Sequence, residues 1–179
     1  MAVLEILKYP DPILKKVAQP VKNITGETAQ LIENMVETMY AAPGIGLAAP
    51  QVGVSRRIIV LDTDHENPGK HLLKLINPEI RRRDGEVIWE EGCLSVVDFT
   101  VEVKRAARVE LSAVGVDEQE ISIDAEGLLA VALQHEIDHI DGKLILDRVS
   151  RLKRDLYLRR LKKLLRSDKP LPENPRMMI

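Results

Sequence analysis

The segment from Gly127 to Gly142 constrains the fold of this chain more than any other stretch, because it is apolar along most of its length and then becomes polar. Leucine, valine and alanine fill residues 128–133, and His135-Glu136-Ile137-Asp138-His139 follows shortly after. An apolar run of this length that stops at a glycine predicts a helix that is apolar on every side and therefore buried. We expect the remaining elements to pack around it.

The spacing of the two histidines places both imidazoles on one face of that helix. Positions four apart are separated by about 40° of rotation and roughly 6 Å along the axis, so His135 and His139 can reach one point. Glu136 is rotated by about 100° from His135, so its carboxylate can hold a water molecule against a metal ion at that point. The alternative is that this spacing of two histidines and a glutamate arises by chance and that Glu136 forms an ordinary ion pair. It is disfavoured because buried polar groups are costly without partners.

A catalytic metal site needs a third protein ligand and one open position for water. One pattern of zinc ligands places a third histidine at position 145, where this chain has Ile145. Another pattern uses a carboxylate from a later helix, and the basic segment 148–166 offers only Asp155. The single cysteine, Cys93, is the remaining good candidate. The alternative for Cys93 is a small buried side chain without a ligand role. A thiolate with two imidazoles suits zinc, iron, nickel or cobalt.

Hydrophobic periodicity predicts the other elements. Residues 26–41 form an amphipathic helix with Thr25 as its N-cap, and a basic helix covers about 148–166. Strand patterns occupy Ile58–Leu61, Leu72–Ile76 (ending at Asn77-Pro78), and the alternating positions Val101, Val103, Val109, Leu111, Ala113, Ile121 and Ile123.

These elements do not alternate regularly between strand and helix, so a doubly wound fold is disfavoured and the α+β class is predicted. We expect a single domain with a mixed or antiparallel sheet packed around a central metal-binding helix, plus N-terminal and C-terminal helices. The catalytic domain is predicted to span residues 1–166. Residues 167–179, which contain three prolines, are predicted to form a flexible tail.

Composition excludes several classes of function. A formal net charge of -2 disfavours a generally nucleic-acid-binding chain. The longest uncharged stretch, residues 38–55, is interrupted by glycines and prolines, which indicates a buried loop or edge strand rather than a membrane span. A lone cysteine fits a reducing compartment. We expect a cytoplasmic protein without a membrane segment, and a monomer.

The stretch Gly44-Ile45-Gly46-Leu47-Ala48-Ala49 formally matches a dinucleotide-binding fingerprint. That fingerprint works only between a strand and a helix of a βαβ unit. Here the glycines follow a predicted helix and precede Pro50, so no nucleotide cofactor is expected. A purely structural glycine turn is the alternative explanation for this stretch.

Three separated stretches together carry a resemblance to a known family. They are Gly44 to Gln51, Glu91-Gly92-Cys93-Leu94-Ser95, and His135 to Gly142. In this order and spacing they are similar to the signature stretches of the peptide deformylase family, and the resemblance extends from about Leu4 to Arg166.

The resemblance implies a metal-dependent hydrolase that removes the formyl group from the N-terminal formyl-methionine of nascent polypeptides and releases formate. One divalent ion, natively Fe²⁺ (with Zn²⁺, Ni²⁺ or Co²⁺ as alternatives), would be bound by Cys93, His135 and His139. The metal-bound water would be the nucleophile, and Glu136 would act as general base and then as general acid. The Gln51 amide and the Leu94 backbone N–H would stabilise the oxyanion.

An apolar pocket for the methionine side chain is also expected. Leu128 and Val131 lie seven and four residues before His135 and so share its helix face. Ile45 would supply the opposing wall, and Gly46 would expose its backbone to the substrate. Ordinary core packing is the alternative for Leu128 and Val131.

The chain departs from the family pattern next to the cysteine. Val97 replaces a proline that is usual in the family, and the following Asp98-Phe99-Thr100 lacks the arginine that some members use near the bound peptide. These differences concern the rim of the substrate site and leave the metal ligands unchanged. Behind the site, Glu91 and Arg105 are predicted to form an ion pair.

The predicted C-terminal helix is strongly basic, with a single acidic residue, Asp155, between positions 151 and 166. Its cations are Arg151, Lys153, Arg154, Arg159, Arg160, Lys162, Lys163 and Arg166. A solvated face on a packed helix is one interpretation. The other is that this helix contacts ribosomal RNA through phosphates and brings the enzyme to its nascent substrates.

Two rival functions use the same residues. A zinc peptidase would share the helix motif, but the expected downstream ligand is missing and the glycine stretch ends in Gln51. A non-catalytic ribosome-binding protein with a structural metal would need a closed set of four ligands, whereas three are apparent.

Overall fold

The computed structural model describes residues 2–64 and 66–166. Three α-helices, α1 (Gly26–Ala41), α2 (Gly127–Ile140) and α3 (Arg151–Leu165), are combined with seven strands, β1 (Gly46–Ala48), β2 (Ile58–Leu61), β3 (Leu73–Asp84), β4 (Val87–Cys93), β5 (Val96–Arg105), β6 (Arg108–Val114) and β7 (Glu120–Glu126). Short 3-10 helices occupy Pro12–Lys15, Ala49–Val52 and Ile145–Asp147. The flexible tail predicted for residues 167–179 lies outside the described residues.

The strands form two antiparallel sheets. Five strands pair in the order β1-β2-β3-β6-β7, and β4 and β5 form a separate hairpin. Alternating residues of β6 point inward, with Val109, Leu111 and Ala113 buried, as the period of two in the sequence predicts. The predicted α+β class, with a sheet around a central helix, is confirmed.

Helix α2 is the centre of the molecule, as its composition predicts. Every residue from Ala130 to Ile140 is buried, and the apolar ones pack against the inward side chains of the larger sheet. The helix ends at Ile140, and Gly142 follows with a φ of 71°. A Cβ at Gly142 would lie 2.8 Å from the carbonyl oxygen of Lys15, so both the left-handed backbone and the close approach require glycine there.

Strand β3 differs from the prediction, which ends it at Asn77-Pro78. It continues to Asp84 because those two residues lie at an irregularity in the pairing with β6, between Ile76 and Glu79. The Asn77 side chain accepts from the backbone N–H of Val21 and donates to the Val21 carbonyl, both at 2.8 Å. The missing N–H of proline therefore falls where the regular ladder is already interrupted.

The other two helices, α1 and α3, lie before and after α2 in the chain. The N-cap predicted for α1 is confirmed, because the Thr25 side chain accepts from the Thr28 N–H. Helix α3 begins at Arg151 rather than about 148, since Ser150 caps it. Tyr157 and Leu161 anchor α3 in a core cluster that includes Cys93. None of the helices described is long and apolar enough to cross a membrane.

Replacing Gly142 by alanine should destabilise the fold by about 2 kcal/mol or more, since it adds backbone strain and a clash with the Lys15 carbonyl. Urea unfolding would measure the change. Gly26→Ala is the matched control, because a Cβ there meets nothing within 4 Å, and its effect should stay within about 1 kcal/mol. Equal effects of the two substitutions would contradict this account.

Candidate active site

The structure brings Cys93, His135 and His139 together in the interior. One potential ligand atom from each lies within 4.8 Å of the other two, and all three residues are buried. The Cys93 sulfur is 3.2 Å from Nε2 of His139. The histidines come from adjacent turns of α2, whereas Cys93 is the last residue of β4, where the hairpin register shifts and it pairs with Val96. A tight turn therefore presents the thiol to the helix.

Glu91 orients the first histidine. Its Oε2 lies 2.8 Å from Nδ1 of His135, at a site where both side chains are buried. A carboxylate can only accept, so Nδ1 carries the proton and the Nε2 lone pair is left available. This is the tautomer that a metal-binding imidazole requires.

Several buried polar atoms in this site have no hydrogen-bond partner among the described residues: Nε2 of His135, Nδ1 of His139, and both carboxylate oxygens of Glu136. Native proteins rarely leave such groups unsatisfied. Burial raises the pKa of Glu136 well above its ordinary value and lowers that of His139 well below its own. Burial also raises the pKa of the Cys93 thiol to about 12.

A cation bound beside the Cys93 sulfur and Nε2 of both histidines would account for all of these features except Nδ1 of His139, which lies on the other side of its ring. It would accept the imidazole lone pairs, hold Cys93 as the thiolate, and compensate the buried carboxylate. Sulfur and imidazole nitrogen are donors that suit iron, zinc, nickel and cobalt. The residues present therefore fit a divalent metal ion, with three protein ligands and room for a further one.

Gly46 makes room for the Glu136 carboxylate. A Cβ on Gly46 would lie 2.3 Å from Oε1 of Glu136, which is far inside van der Waals contact. The sequence predicts a different role for this glycine, exposure of its backbone to substrate, and that role stays a prediction. The close approach shows how edge strand β1 and helix α2 jointly position the carboxylate.

The Gln51 amide faces the metal ligands. Its Oε1 accepts from the Ala48 N–H at 2.8 Å, so the NH₂ group is directed the other way. There Nε2 lies 3.2 Å from Oγ of Ser95 and 4.0 Å from the Cys93 sulfur. Leu94 follows Cys93 directly, and its side chain packs closely against Gly44. Both predicted oxyanion donors therefore border the buried thiol.

The three residues predicted to form the methionine pocket lie in one core cluster. Ile45 and Val131 are buried and Leu128 packs against the same cluster while remaining half-buried. The structure thus brings together the opposing wall and the helix face that the sequence suggests. Their contact with a substrate side chain stays a prediction.

The hairpin residues that depart from the family pattern differ in burial. Val97 is buried, and its carbonyl accepts from the Tyr157 hydroxyl at 3.1 Å, which ties the hairpin to α3. Thr100 is exposed and pairs with Gly92 in the hairpin. Thr100 therefore lies on the neighbouring strand beside the metal-binding turn.

A buried ion network lies behind His135. The predicted pair of Glu91 and Arg105 is confirmed, with Nε and one terminal nitrogen of Arg105 donating to the two carboxylate oxygens at 2.7 and 2.8 Å. The other terminal nitrogen donates to Asp138 at 2.6 Å, and Arg148 also donates to Asp138, at 2.9 Å. Burial alone would raise the pKa of Glu91, but hydrogen bonds from Arg105 and His135 bring it below its ordinary value.

Sequence reasoning missed Asp138 and Arg148. Asp138 lies inside the histidine motif, three residues after His135 and one before His139, so its position on α2 was predictable. Its partner was not, because Arg105 lies 33 residues away on another element.

Replacing Arg105 by methionine should destabilise the protein by about 3–5 kcal/mol, because it leaves the carboxylates of Glu91 and Asp138 buried with fewer partners. Chemical denaturation would measure the loss. Arg108→Met is the control: Arg108 pairs with Asp124 at the surface, where solvent screens the pair, so its loss should cost far less stability than loss of the buried network. Similar losses for the two variants would contradict a special role for the buried network.

Comparisons with known proteins agree with this geometry. Residues 3–155 match the family model described as polypeptide deformylase. A peptide deformylase of Thermodesulfovibrio yellowstonii is 54% identical over 162 residues, which cover 90% of this chain and 98% of the relative. One from Syntrophobacter fumaroxidans is 51% identical, covering 93% and 98%.

Comparison with a solved structure also points to the deformylase family. The crystal structure of a peptide deformylase from Legionella pneumophila superposes with a TM-score of 0.87 at 44% identity, covering 94% of this chain and all of that one. The resemblance inferred from three short stretches therefore extends over the whole fold. This chain belongs to the polypeptide deformylase family.

Proposed function

We propose that this protein hydrolyses the formyl group from N-terminal formyl-methionine of nascent polypeptides, with Cys93, His135 and His139 as metal ligands and Glu136 as general base and acid. The observation that carries the proposal is the convergence of one sulfur and two imidazoles beside a carboxylate whose buried oxygens have no hydrogen-bond partner among the described residues. Three protein ligands leave one coordination position for water, whereas a structural site is usually closed by four.

The family is metal-dependent, and we propose Fe²⁺ as the native ion. When bound, a divalent ion lowers the pKa of a coordinated water and polarises the formyl carbonyl. The thiolate of Cys93 and the neutral imidazole of His135, fixed by Glu91, provide the ligands that this requires. The ligand set also suits Zn²⁺, Ni²⁺ and Co²⁺.

Glu136 is suited to moving the proton. Its carboxylate is buried against Gly46 beside the Cys93, His135 and His139 cluster, so it is held where it can take a proton from water and keep it until the amine leaves. The hydroxide that remains bonds to the formyl carbon. The carbon–nitrogen bond then breaks, the nitrogen takes the proton from Glu136 and becomes the free amine of methionine, and the formyl carbon departs as formate.

The developing oxyanion requires donors in fixed positions. The Gln51 amide is oriented by the Ala48 N–H, so its own NH₂ is available on the side of Cys93. The backbone N–H of Leu94 is the second proposed donor. Each donor of this kind contributes on the order of 3 kcal/mol to transition-state stabilisation.

The preference for methionine is assigned to the apolar residues beside the metal ligands. Ile45 and Val131 belong to the core cluster on the β1 side of α2, and Leu128 packs against it. A long unbranched thioether fits an irregular apolar wall of this kind. Gly46 is proposed to offer its backbone to the peptide at the same edge.

Replacing Glu136 by glutamine should reduce formate release by about 10²–10⁴-fold, since the amide cannot accept the proton. The bound metal, measured by elemental analysis after anaerobic purification, should stay near that of the parent. Glu90→Gln, at an exposed position of β4, is the control and should retain full activity. Undiminished turnover by Glu136→Gln would remove the carboxylate from the mechanism.

The choice of substrates in that assay distinguishes a deformylase from a zinc peptidase. Formyl-Met-Ala should be hydrolysed, whereas acetyl-Met-Ala and an internal peptide bond should not. Cleavage of the internal bond would instead indicate a peptidase. Loading the metal-free protein with each ion in turn, with formate release as the readout, would identify the metal that supports activity.

We also propose that α3 contacts ribosomal RNA and that the protein acts as a cytoplasmic monomer. Tyr157 and Leu161 face the core, so the cations at 159, 162 and 163 are exposed to solvent. Exposed cations on one short helix are suited to a row of phosphates. The catalytic domain would then extend over residues 1–166, with α3 as its docking helix.

Reversing the charge of Arg159, Lys162 and Lys163 to glutamate should weaken cosedimentation with ribosomes and flatten its dependence on salt, because three phosphate contacts are lost. The control reverses the exposed Arg81, Arg82 and Arg83 of β3, which changes the net charge by the same amount. Equal weakening in both variants would show a general charge effect, and binding that is insensitive to salt would contradict the phosphate contacts.

A further inference from the structure

The N-terminal segment Leu7–Tyr9 bonds to two of the three signature stretches at once. The Leu7 N–H donates to the Gln51 carbonyl at 2.8 Å, and the Tyr9 N–H donates to the Ser95 carbonyl at 2.8 Å. Between them, the Lys8 ammonium donates to the Leu94 carbonyl at 2.6 Å. Three consecutive residues outside every signature stretch therefore hold the residues that carry the proposed oxyanion donors.

These contacts close a ring through the site. Nε2 of Gln51 lies 3.2 Å from Oγ of Ser95, so the two stretches also contact each other. Leu7 and Tyr9 hold the same two residues through their main chains. A ring of this kind limits how far the Gln51 amide can move relative to the turn that contains Leu94.

Lys8 is the one charged side chain of this ring. Its ammonium is half-buried, and burying an ammonium is costly unless its donors find partners. The bond it makes is charge-assisted and short, which makes it stronger than a neutral one. Only two rotatable backbone bonds separate the Leu94 carbonyl from the Leu94 N–H, so fixing the carbonyl leaves the N–H fewer orientations.

We propose that Lys8 is a positioning residue that aligns one proposed oxyanion donor, the Leu94 N–H, from outside the signature stretches. The inference rests on the proposed function, because it assigns Lys8 a part in that reaction. Misplacement of a catalytic group by about 1 Å can cost on the order of 100-fold in rate. Loss of the anchor should therefore lower kcat rather than KM.

The test compares Lys8→Met, which keeps an unbranched side chain one atom shorter but removes the donor and charge, with Lys8→Arg, which keeps the donor and the charge. In the metal-loaded protein, kcat for formyl-Met-Ala should fall about tenfold or more in Lys8→Met, while KM and metal content stay within twofold of the parent. Lys8→Arg should recover most of the loss. Lys16→Met, an exposed lysine of the same N-terminal segment, should match the parent.

Amide hydrogen exchange gives a readout that is independent of activity. The peptide that covers residues 93–96 should exchange faster in Lys8→Met, whereas the peptide of α1 should be unchanged. A kcat within twofold of the parent would overturn the inference, as would a loss of metal in proportion to lost activity, since Lys8 would then support the ion. If the parent itself releases no formate, the proposed function fails, and unchanged exchange at 93–96 would separately overturn the anchoring role.

Discussion

The guanidinium of Arg105 is the contact on which the site depends most. It joins three elements, because it belongs to β5, donates twice to Glu91 on β4, and donates once to Asp138 on α2. Glu91 in turn orients His135. A buried network of this kind contributes little net stability compared with an apolar core. Removing one member, however, leaves its partners as unpaired buried charges. Its value here is that the hairpin and the helix cannot shift independently.

Close packing around the carboxylate imposes a second constraint. A Cβ on Gly46 of edge strand β1 would overlap the Glu136 carboxylate of α2, so this glycine leaves the carboxylate the space that it occupies. The reacting groups consequently come from a strand edge, a hairpin turn and a buried helix, each held by a different contact. Groups held in this way need little reorganisation during the reaction, which is what catalysis by fixed dipoles and charges requires.

The N-terminal residues and the sequence departures fit the same arrangement. Leu7 to Tyr9 cross the outside of the site and bond to residues that carry the proposed oxyanion donors. Val97 binds Tyr157 of α3 through its carbonyl, an atom that a proline would also provide. This hydrogen bond between the hairpin and α3 can therefore form whether residue 97 is valine or proline.

Sequence alone determined what depends on neighbours along the chain. The period of α2, the cap at Thr25, the stop at Gly142 and the shared face of His135 and His139 follow from local helix geometry, and the structure confirms these positions. Cys93 was reached by elimination among possible ligands and by resemblance to the deformylase family, so its place was expected rather than derived from spacing.

Tertiary structure decided what depends on residues far apart in the chain. The partnership of Arg105 with Asp138, the anchoring of Leu94 by Lys8 and the continuation of β3 through Pro78 each join segments separated by tens of residues. Hydrophobic periodicity along the chain does not predict which distant residues will be in contact. They are selected only when the core closes and each buried polar group must find the one complementary group within reach.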